Sequence, residues 1–153
     1  MHSTSPVMIV NRFIPKEKLN FKKIMVGVDF SKSCKYACEF AAKLALKYNS
    51  KLSFFHMSSP KESEKEGEEK IQKFYKTPEG IEYEYKIWAG TQPYTEILKL
   101  AREKEIDLIV MGSHTRDESE RVYVGSAVEH VSAESLCPVV IVTHPDAVLK
   151  IEK

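Results

Sequence analysis

Five short apolar runs follow one another from residue 23 onward, and segments with helical periodicity separate them. Four runs are almost continuously hydrophobic, which is typical of strands buried on both faces of a parallel sheet. These four are residues 24–28, 52–55, 106–111 and 139–142. Residues 81–88 (IEYEYKIW) instead alternate apolar and charged side chains. That period of two predicts a half-exposed strand at a sheet edge.

The segments between the runs predict helices. Residues 34–48 carry apolar side chains on one face at helical spacing and mainly lysines on the other. The same spacing recurs over residues 94–101 and, more briefly, over residues 127–131. Residues 61–76 are mostly Lys and Glu, and they fit either a solvated helix or a loop. Apolar residues near the end of that segment favour a helix there.

Strands and helices therefore alternate along the chain, which predicts an α/β fold. With right-handed crossovers, this order gives an open, doubly wound, five-stranded parallel sheet of order 3-2-1-4-5, with helices on both faces. Such sheets bind ligands beyond the carboxyl ends of strands, where the strand order reverses. Asp29 and Gly112 follow the two strands at that point, so we expect them to face each other across a crevice. Asp29 is equally suited to cap the helix that begins near Ser33.

The segment after the fourth strand carries the most informative spacing. It reads Gly112-Ser113-His114-Thr115, then nine residues, then Gly125-Ser126. Glycines let a backbone approach a ligand closely, and the start of the following helix offers unpaired N–H groups to a phosphate. The alternative is structural, since Gly112 can simply end a strand while Ser126 caps a helix. The spacing alone leaves both interpretations open.

The composition mainly excludes certain classes of partner and site. The 153 residues include 23 Lys and Arg against 22 Asp and Glu, so the formal net charge is +1. Such a balance gives no reason to expect nucleic acid or an anionic membrane as a partner. No apolar run approaches the roughly 18 residues that span a bilayer, and the N-terminus lacks the features of a signal peptide. Three cysteines without CxxC spacing argue against a disulfide framework or a zinc site, so we expect a reduced, cytoplasmic protein.

The first twenty residues fall outside the alternating unit. Residues 5–10 (SPVMIV) echo residues 137–142 (CPVVIV), which predicts a short strand near residues 7–10. If the echo is a true repeat rather than chance, the segment is the last strand of a preceding copy of the domain, and the chain is part of a tandem protein. The predicted organisation is an N-terminal extension over residues 1–20, one domain over residues 21–145 and a C-terminal tail over residues 146–153.

Several motifs stand in the order in which one protein family carries them. They are KKIMVGVDFS at residues 22–31, His56-Met57 after the second strand, the glycine-containing segment from Gly112 to Ser126, and the Cys-Pro-Val that opens the final strand. Through these motifs the chain resembles the universal stress protein family over residues 21–143. The resemblance implies a Rossmann-like fold of the adenine nucleotide alpha hydrolase type and an adenine nucleotide site.

The resemblance also implies roles for individual residues. Asp29 would meet the ribose, the backbone of Met57 would hold the adenine edge, and the glycine segment would wrap the ribose and phosphates. The remaining expected site residues are Gly27, Val28, Met111, Gly112, Ser113, His114, Thr115, Gly125, Ser126 and Ala127. Thr115 departs from the family motif, which has a glycine at that position. The expected ligand is therefore ATP, ADP or AMP, with Mg²⁺ accompanying ATP.

No Walker lysine motif, nucleophile elbow, zinc spacing or carboxylate cluster for magnesium is apparent in the sequence. The sequence thus favours a nucleotide-binding module over an enzyme and leaves slow ATP hydrolysis open. The resemblance implies that such a module serves in stress response or signalling. Thr115 supports the alternative, a nucleotide-free interaction or dimerisation protein of the same fold. The resemblance further implies a homodimer through residues 139–142. The strand near residues 7–10 is equally able to cover that edge, from its own chain or from a partner.

Overall fold

The structure is a computed structural model that describes residues 7–10, 20–89, 93–112 and 126–142. Within these ranges the strands are β1 (Val7–Ile9), β2 (Lys23–Val28), β3 (Lys51–Ser58), β4 (Glu82–Ala89), β5 (Leu108–Gly112) and β6 (Val139–Val142). The helices are α1 (Lys32–Tyr48), α2 (Glu64–Phe74), α3 (Pro93–Glu103) and α4 (Ser126–Glu134). The alternation of strands and helices confirms the predicted α/β class.

All of these strands belong to one sheet, in the order β1-β6-β5-β2-β3-β4. Apart from β1, the order is the predicted 3-2-1-4-5, and every pair among those strands is parallel. The predicted strand count of five was wrong, because the structure has a six-stranded sheet. The additional strand is β1, which joins antiparallel to β6 and makes the sheet mixed. At the opposite edge stands β4, as its alternating pattern predicted.

A hydrophobic core lies on each face of the sheet. Helices α1 and α2 cover one face, where Val26 packs with Ala41 and Ile71. Helices α3 and α4 cover the other face, where Met25 packs with side chains such as Ile97. Consecutive strand residues point to opposite faces, so alternate side chains of β2 pack in each of the two cores. This explains why its sequence is continuously apolar.

Local signals set the ends of α1. The Ser31 side chain caps the first turn by accepting the backbone N–H of Cys34 at 3.2 Å. At the other end Asn49 adopts a left-handed conformation with φ 52°, and its N–H donates to the carbonyl of Ala45. Asn tolerates this conformation better than most residues, which makes it a natural helix terminator. Helix α1 is therefore held at both ends by residues that the sequence itself supplies.

The Lys- and Glu-rich segment forms helix α2 rather than a loop. Ser63 caps it by accepting the N–H of Glu66 at 3.1 Å. Its buried residues Gly67 and Ile71, together with the partly buried Phe74, give α2 a core-facing side. A Cβ at Gly67 would lie 2.9 Å from Cγ2 of Ile87, so the glycine lets the helix rest closely on β4. None of the helices in the described ranges combines the length and apolar character needed to cross a membrane.

Candidate functional site

The order of the sheet reverses at the carboxyl end of β2, which lies between β3 and β5. Since these three strands are parallel neighbours, their carboxyl ends meet at one edge. That edge collects Gly27, Val28 and Asp29 from β2 and the residue after it, together with Met57 from β3. It also collects Met111 and Gly112 from β5. Half of the twelve residues expected in the site are thus brought to one place.

The other six lie in or beside the glycine-containing segment. Ser113, His114, Thr115 and Gly125 fall outside the described residues. Ser126 and Ala127 are the first two residues of α4, and only their backbone is described. The predicted loop contacts therefore stay predictions.

The pairing of β2 with each neighbouring strand stops before that neighbour ends. Strand β3 pairs with β2 only as far as His56 opposite Val28, and it continues through Met57 and Ser58. Strand β5 pairs with β2 only as far as Val110 opposite Val26, after which each strand continues for two more residues, to Gly112 and Val28, without pairing with the other. Beyond these points neither strand has β2 as a ladder partner. We call the place where β2 ends between these two strands the notch, and the turn after β2 lies at its base.

Asp29 stands in that turn with its side chain exposed. Its Oδ1 accepts the backbone N–H of Ser31 at 2.9 Å, which fixes the turn between β2 and α1. The alternative interpretation, that Asp29 caps the helix, was wrong, because the cap is Ser31. Asp29 instead places a carboxylate just ahead of the first turn of α1, where the positive end of the helix favours negative charge.

Phe30 has a backbone conformation that the sequence did not reveal. Its φ of 64° lies in the left-handed region, which is uncommon for a bulky residue. Its ring packs edge-on against His56 at 4.7 Å between centroids and against Phe74 at 5.3 Å. A conformation of this kind costs of order 1–3 kcal/mol and persists only where surrounding contacts enforce it. Packing of the Phe30 ring thus holds the turn that presents Asp29.

A cluster of His56, Glu62 and Lys70, in which only Lys70 is exposed, supports the turn from below. Nδ1 of His56 lies 3.3 Å from the carbonyl oxygen of Val28. Nε2 of the same ring lies 3.3 Å from Oε1 of Glu62, although not aligned for a hydrogen bond. Oε2 of Glu62 accepts a hydrogen bond from Nζ of Lys70 at 3.0 Å. The cluster therefore ties the end of β2 to the start of α2.

Glu62 is the anion of this cluster, and its side chain is only 8% exposed. Burial by itself raises the pKa of a carboxyl group. Here the hydrogen bond from Lys70 and the charge of His56 outweigh burial, so the pKa of Glu62 lies below its ordinary value of 4.5. Sequence reasoning missed Glu62, because it lies in a segment of similar charged residues and its contacts depend on the fold.

Gly112 has a structural reason to be glycine. A Cβ at this position would lie 2.6 Å from the backbone nitrogen of Cys34 and 2.6 Å from the carbonyl carbon of Ser33. The first turn of α1 can therefore lie against the end of β5 only if residue 112 has no side chain. Gly27 differs, because a Cβ there would make an ordinary contact of 3.6 Å with Ile97. Gly112 thus brings the start of α1 to the notch without requiring any ligand.

Other features lie away from the notch or offer less chemistry. A cavity of about 240 Å³ lies between the carboxyl ends of α3 and α4, with Arg102, Glu134 and Cys137 in its lining, at the opposite end of the sheet. Cys34 and Cys38 are fully buried, and their mutual contact and burial raise the pKa of Cys38. Among the side chains that the structure describes, no three or more His, Cys, Asp and Glu residues are grouped to hold a metal ion.

Comparison with known proteins places this chain in a family. The model of the universal stress protein family matches residues 20–143. The chain belongs to the universal stress protein family. The family predicted from the sequence motifs is thereby confirmed. A curated relative, universal stress protein MJ0531 of Methanocaldococcus jannaschii, is 28% identical over 155 residues, covering 90% of this chain and 91% of that protein.

Solved structures of universal stress proteins share the fold. One from Archaeoglobus fulgidus matches with a TM-score of 0.73 and 28% identity, covering 94% of this chain. The match spans only 51% of that longer chain. A universal stress protein solved in complex with cAMP matches with a TM-score of 0.62 and 25% identity. The match covers 80% of this chain and 97% of the protein in the cAMP complex.

Proposed function

We propose that this universal stress protein binds an adenine nucleotide in the notch at the carboxyl end of β2 and works as a stress-response or signalling module. The observation that carries the proposal is the geometry of the notch. Strand β3 extends past the end of β2, the pairing of β2 with β5 stops two residues before either strand ends, and the exposed carboxylate of Asp29 stands at the base of the notch. Open sheets of this class bind their ligands at such a switch point.

The β3 side of the notch suits a planar base. Past His56, this strand has no ladder partner on its β2 side, so its backbone can pair with the polar edge of a purine. Met57 and its neighbour across the strands, Trp88, are partly buried against the second core and supply apolar surface. A pocket with mostly apolar walls and a few fixed polar groups is the usual form of a small-molecule site.

The opposite side of the notch suits a sugar and phosphates. The Asp29 carboxylate is an acceptor that matches the hydroxyl donors of a ribose. Helix α1 begins four residues after the end of β2 and lies against Gly112, and helix starts favour phosphate groups. With ATP, the phosphates would bring Mg²⁺ with them. Thr115 replaces a glycine of the family motif in the segment expected to wrap the phosphates, so it affects how many phosphates fit. The proposal therefore includes AMP, ADP and ATP.

A relative supports the class of ligand. The universal stress protein solved with cAMP holds an adenine nucleotide, and it is 25% identical to this chain over the same domain. A cytoplasmic location forms part of the proposal, because all three cysteines are free thiols, as expected in a reducing compartment.

The first test is the ligand content of freshly purified protein, measured by mass spectrometry of the acid-soluble fraction. We expect adenine nucleotide at about one per chain. Calorimetric titration with AMP, ADP and ATP then compares the wild type with Asp29→Asn. This variant can still accept the Ser31 N–H but loses the negative charge, so binding should weaken about 10- to 100-fold.

Glu82→Ala is a matched control, because Glu82 is an exposed carboxylate on the distant edge strand. It should bind as the wild type does. Equal affinity of Asp29→Asn and Glu82→Ala would remove Asp29 from the site. No bound nucleotide, together with flat titrations for all three ligands, would overturn the proposal. The nucleotide-free interaction protein would then be the better account.

A further inference from the structure

Strands β1 and β6 have nearly the same sequence. Residues 5–10 read SPVMIV and residues 137–142 read CPVVIV, with four of six positions identical. Met8 thereby corresponds to Val140, and its neighbours Val7 and Ile9 correspond to Val139 and Ile141. The structure pairs these two similar segments directly with each other.

The pairing is antiparallel and is centred within the strands. Met8 lies opposite Val140, with Val7 opposite Ile141 and Ile9 opposite Val139. Two copies of one strand paired antiparallel are always related by a two-fold axis. In this register the axis would pass at Val140, so the matching segments overlap along their length rather than at their ends. Strand β1 therefore occupies the place that the β6 of a second copy would take.

Strand β6 needs such cover. Its four residues are all apolar and at most 1% exposed with β1 in place. Uncovered, it would present unpaired backbone groups along a hydrophobic edge, which is the kind of edge that associates. Strand β1 itself has only three residues and leaves Met8 47% exposed. It contributes Ile9 to the second core, which anchors it to the domain.

We infer that β6 is a pairing surface for a strand of its own sequence type, and that β1 keeps this surface closed by substituting for the β6 of a second copy. While β1 is in place, chains do not associate through β6. When β1 is released, two chains pair through β6 with Val140 opposite Val140. The homodimer expected through this strand thus becomes conditional on β1. This inference is independent of nucleotide binding.

The first experiment releases β1 in the full chain. Ile9→Lys removes the side chain that anchors β1 to the core, and Met8→Lys makes the same change at the exposed neighbour. Light scattering should give a monomer for the wild type and for Met8→Lys, and a doubled mass for Ile9→Lys. Circular dichroism checks that each variant is folded. If Ile9→Lys loses its native spectrum, Ile9→Ser takes its place, since it shortens the side chain without adding charge.

The second experiment reads the register by cross-linking. Opposed residues in paired strands bring their Cβ atoms close enough for a disulfide. In the otherwise unchanged chain, oxidised Met8→Cys/Val140→Cys should form a bond within one chain. In the Ile9→Lys background, Val140→Cys alone should form a bond between two chains. The native cysteines are buried and should not contribute.

Three outcomes would overturn the inference. One is a folded Ile9→Lys variant that stays monomeric. Another is a wild-type chain that already cross-links between copies through Val140→Cys. The third is a Met8→Cys/Val140→Cys bond that joins two chains, since β1 would then be exchanged between partners rather than closing its own edge. The intrachain bond and the conditional dimer together support it.

Discussion

Replacing Gly112 by alanine tests whether the start of α1 can lie against the end of β5 only when residue 112 has no side chain. The added Cβ would lie 2.6 Å from two backbone atoms in the first turn of α1 and 2.8 Å from a third, the carbonyl oxygen of Ser33. Backbone atoms cannot rotate away as the tip of a side chain can. The helix start or the strand end must therefore move by about 0.8 Å, from 2.6 Å to an ordinary contact of 3.4 Å.

The magnitude follows from packing. Extra atoms in a close-packed region cost about 1–3 kcal/mol, and a clash with the rigid Ser33–Cys34 peptide group favours the upper part of that range. Gly27→Ala is the matched control, because it adds the same methyl group at the same sheet edge with an ordinary contact of 3.6 Å. Replacing glycine by alanine within a strand can gain about 0.5–1 kcal/mol. The two variants should therefore differ in unfolding free energy by about 2 kcal/mol or more.

Urea denaturation provides the assay. Fluorescence of Trp88, the one tryptophan of the chain, and circular dichroism should report the same transition. The midpoint for Gly112→Ala should fall well below that of Gly27→Ala, with the same dependence on urea concentration. Equal midpoints would show that α1 does not need a glycine at the end of β5. The approach of α1 would then have to be explained by other contacts.

Two further predictions concern the turn and its support. Ser31→Ala removes the cap of α1 and should lower the unfolding free energy by about 1 kcal/mol, measured by the same denaturation, whereas Ser31→Thr should retain most of it. Glu62 has a lowered pKa, so its contribution is present above the ordinary value of 4.5 and is lost as the pH falls through the folded-state pKa. Glu62→Gln should remove that part of the acid dependence; identical acid profiles in a pH series would contradict it.

The sheet was predictable because its signals are local. Continuous apolar runs identify strands buried on both faces, and the handedness of crossovers then allows few orders. The alternating run at residues 81–88 placed β4 at an edge for the same reason. Strand β1 has only three residues, and its sequence echo did not say which chain it would join. Its place depends on the uncovered edge of β6, which exists only after the sheet has formed.

The candidate site was predictable in position but not in its support. Topology alone brings Asp29 and Gly112 to one edge. The physical reason for Gly112 is the proximity of Ser33 and Cys34, residues that are distant from it in sequence. The left-handed turn at Phe30 likewise depends on a ring contact with Phe74, more than forty residues away. Contacts of this kind leave no periodic pattern in a sequence.

The end of β2 is fixed from three directions before any ligand arrives. The carbonyl of Val28 faces His56, Asp29 accepts the Ser31 N–H, and the Phe30 ring is packed in the first core. A ligand that meets a turn already formed does not have to supply the free energy of ordering it. Differences in affinity among AMP, ADP and ATP should then arise on the phosphate side, where Thr115 departs from the family motif. A substitution at Thr115 should accordingly change ligand preference while leaving the loss caused by Asp29→Asn the same for each nucleotide.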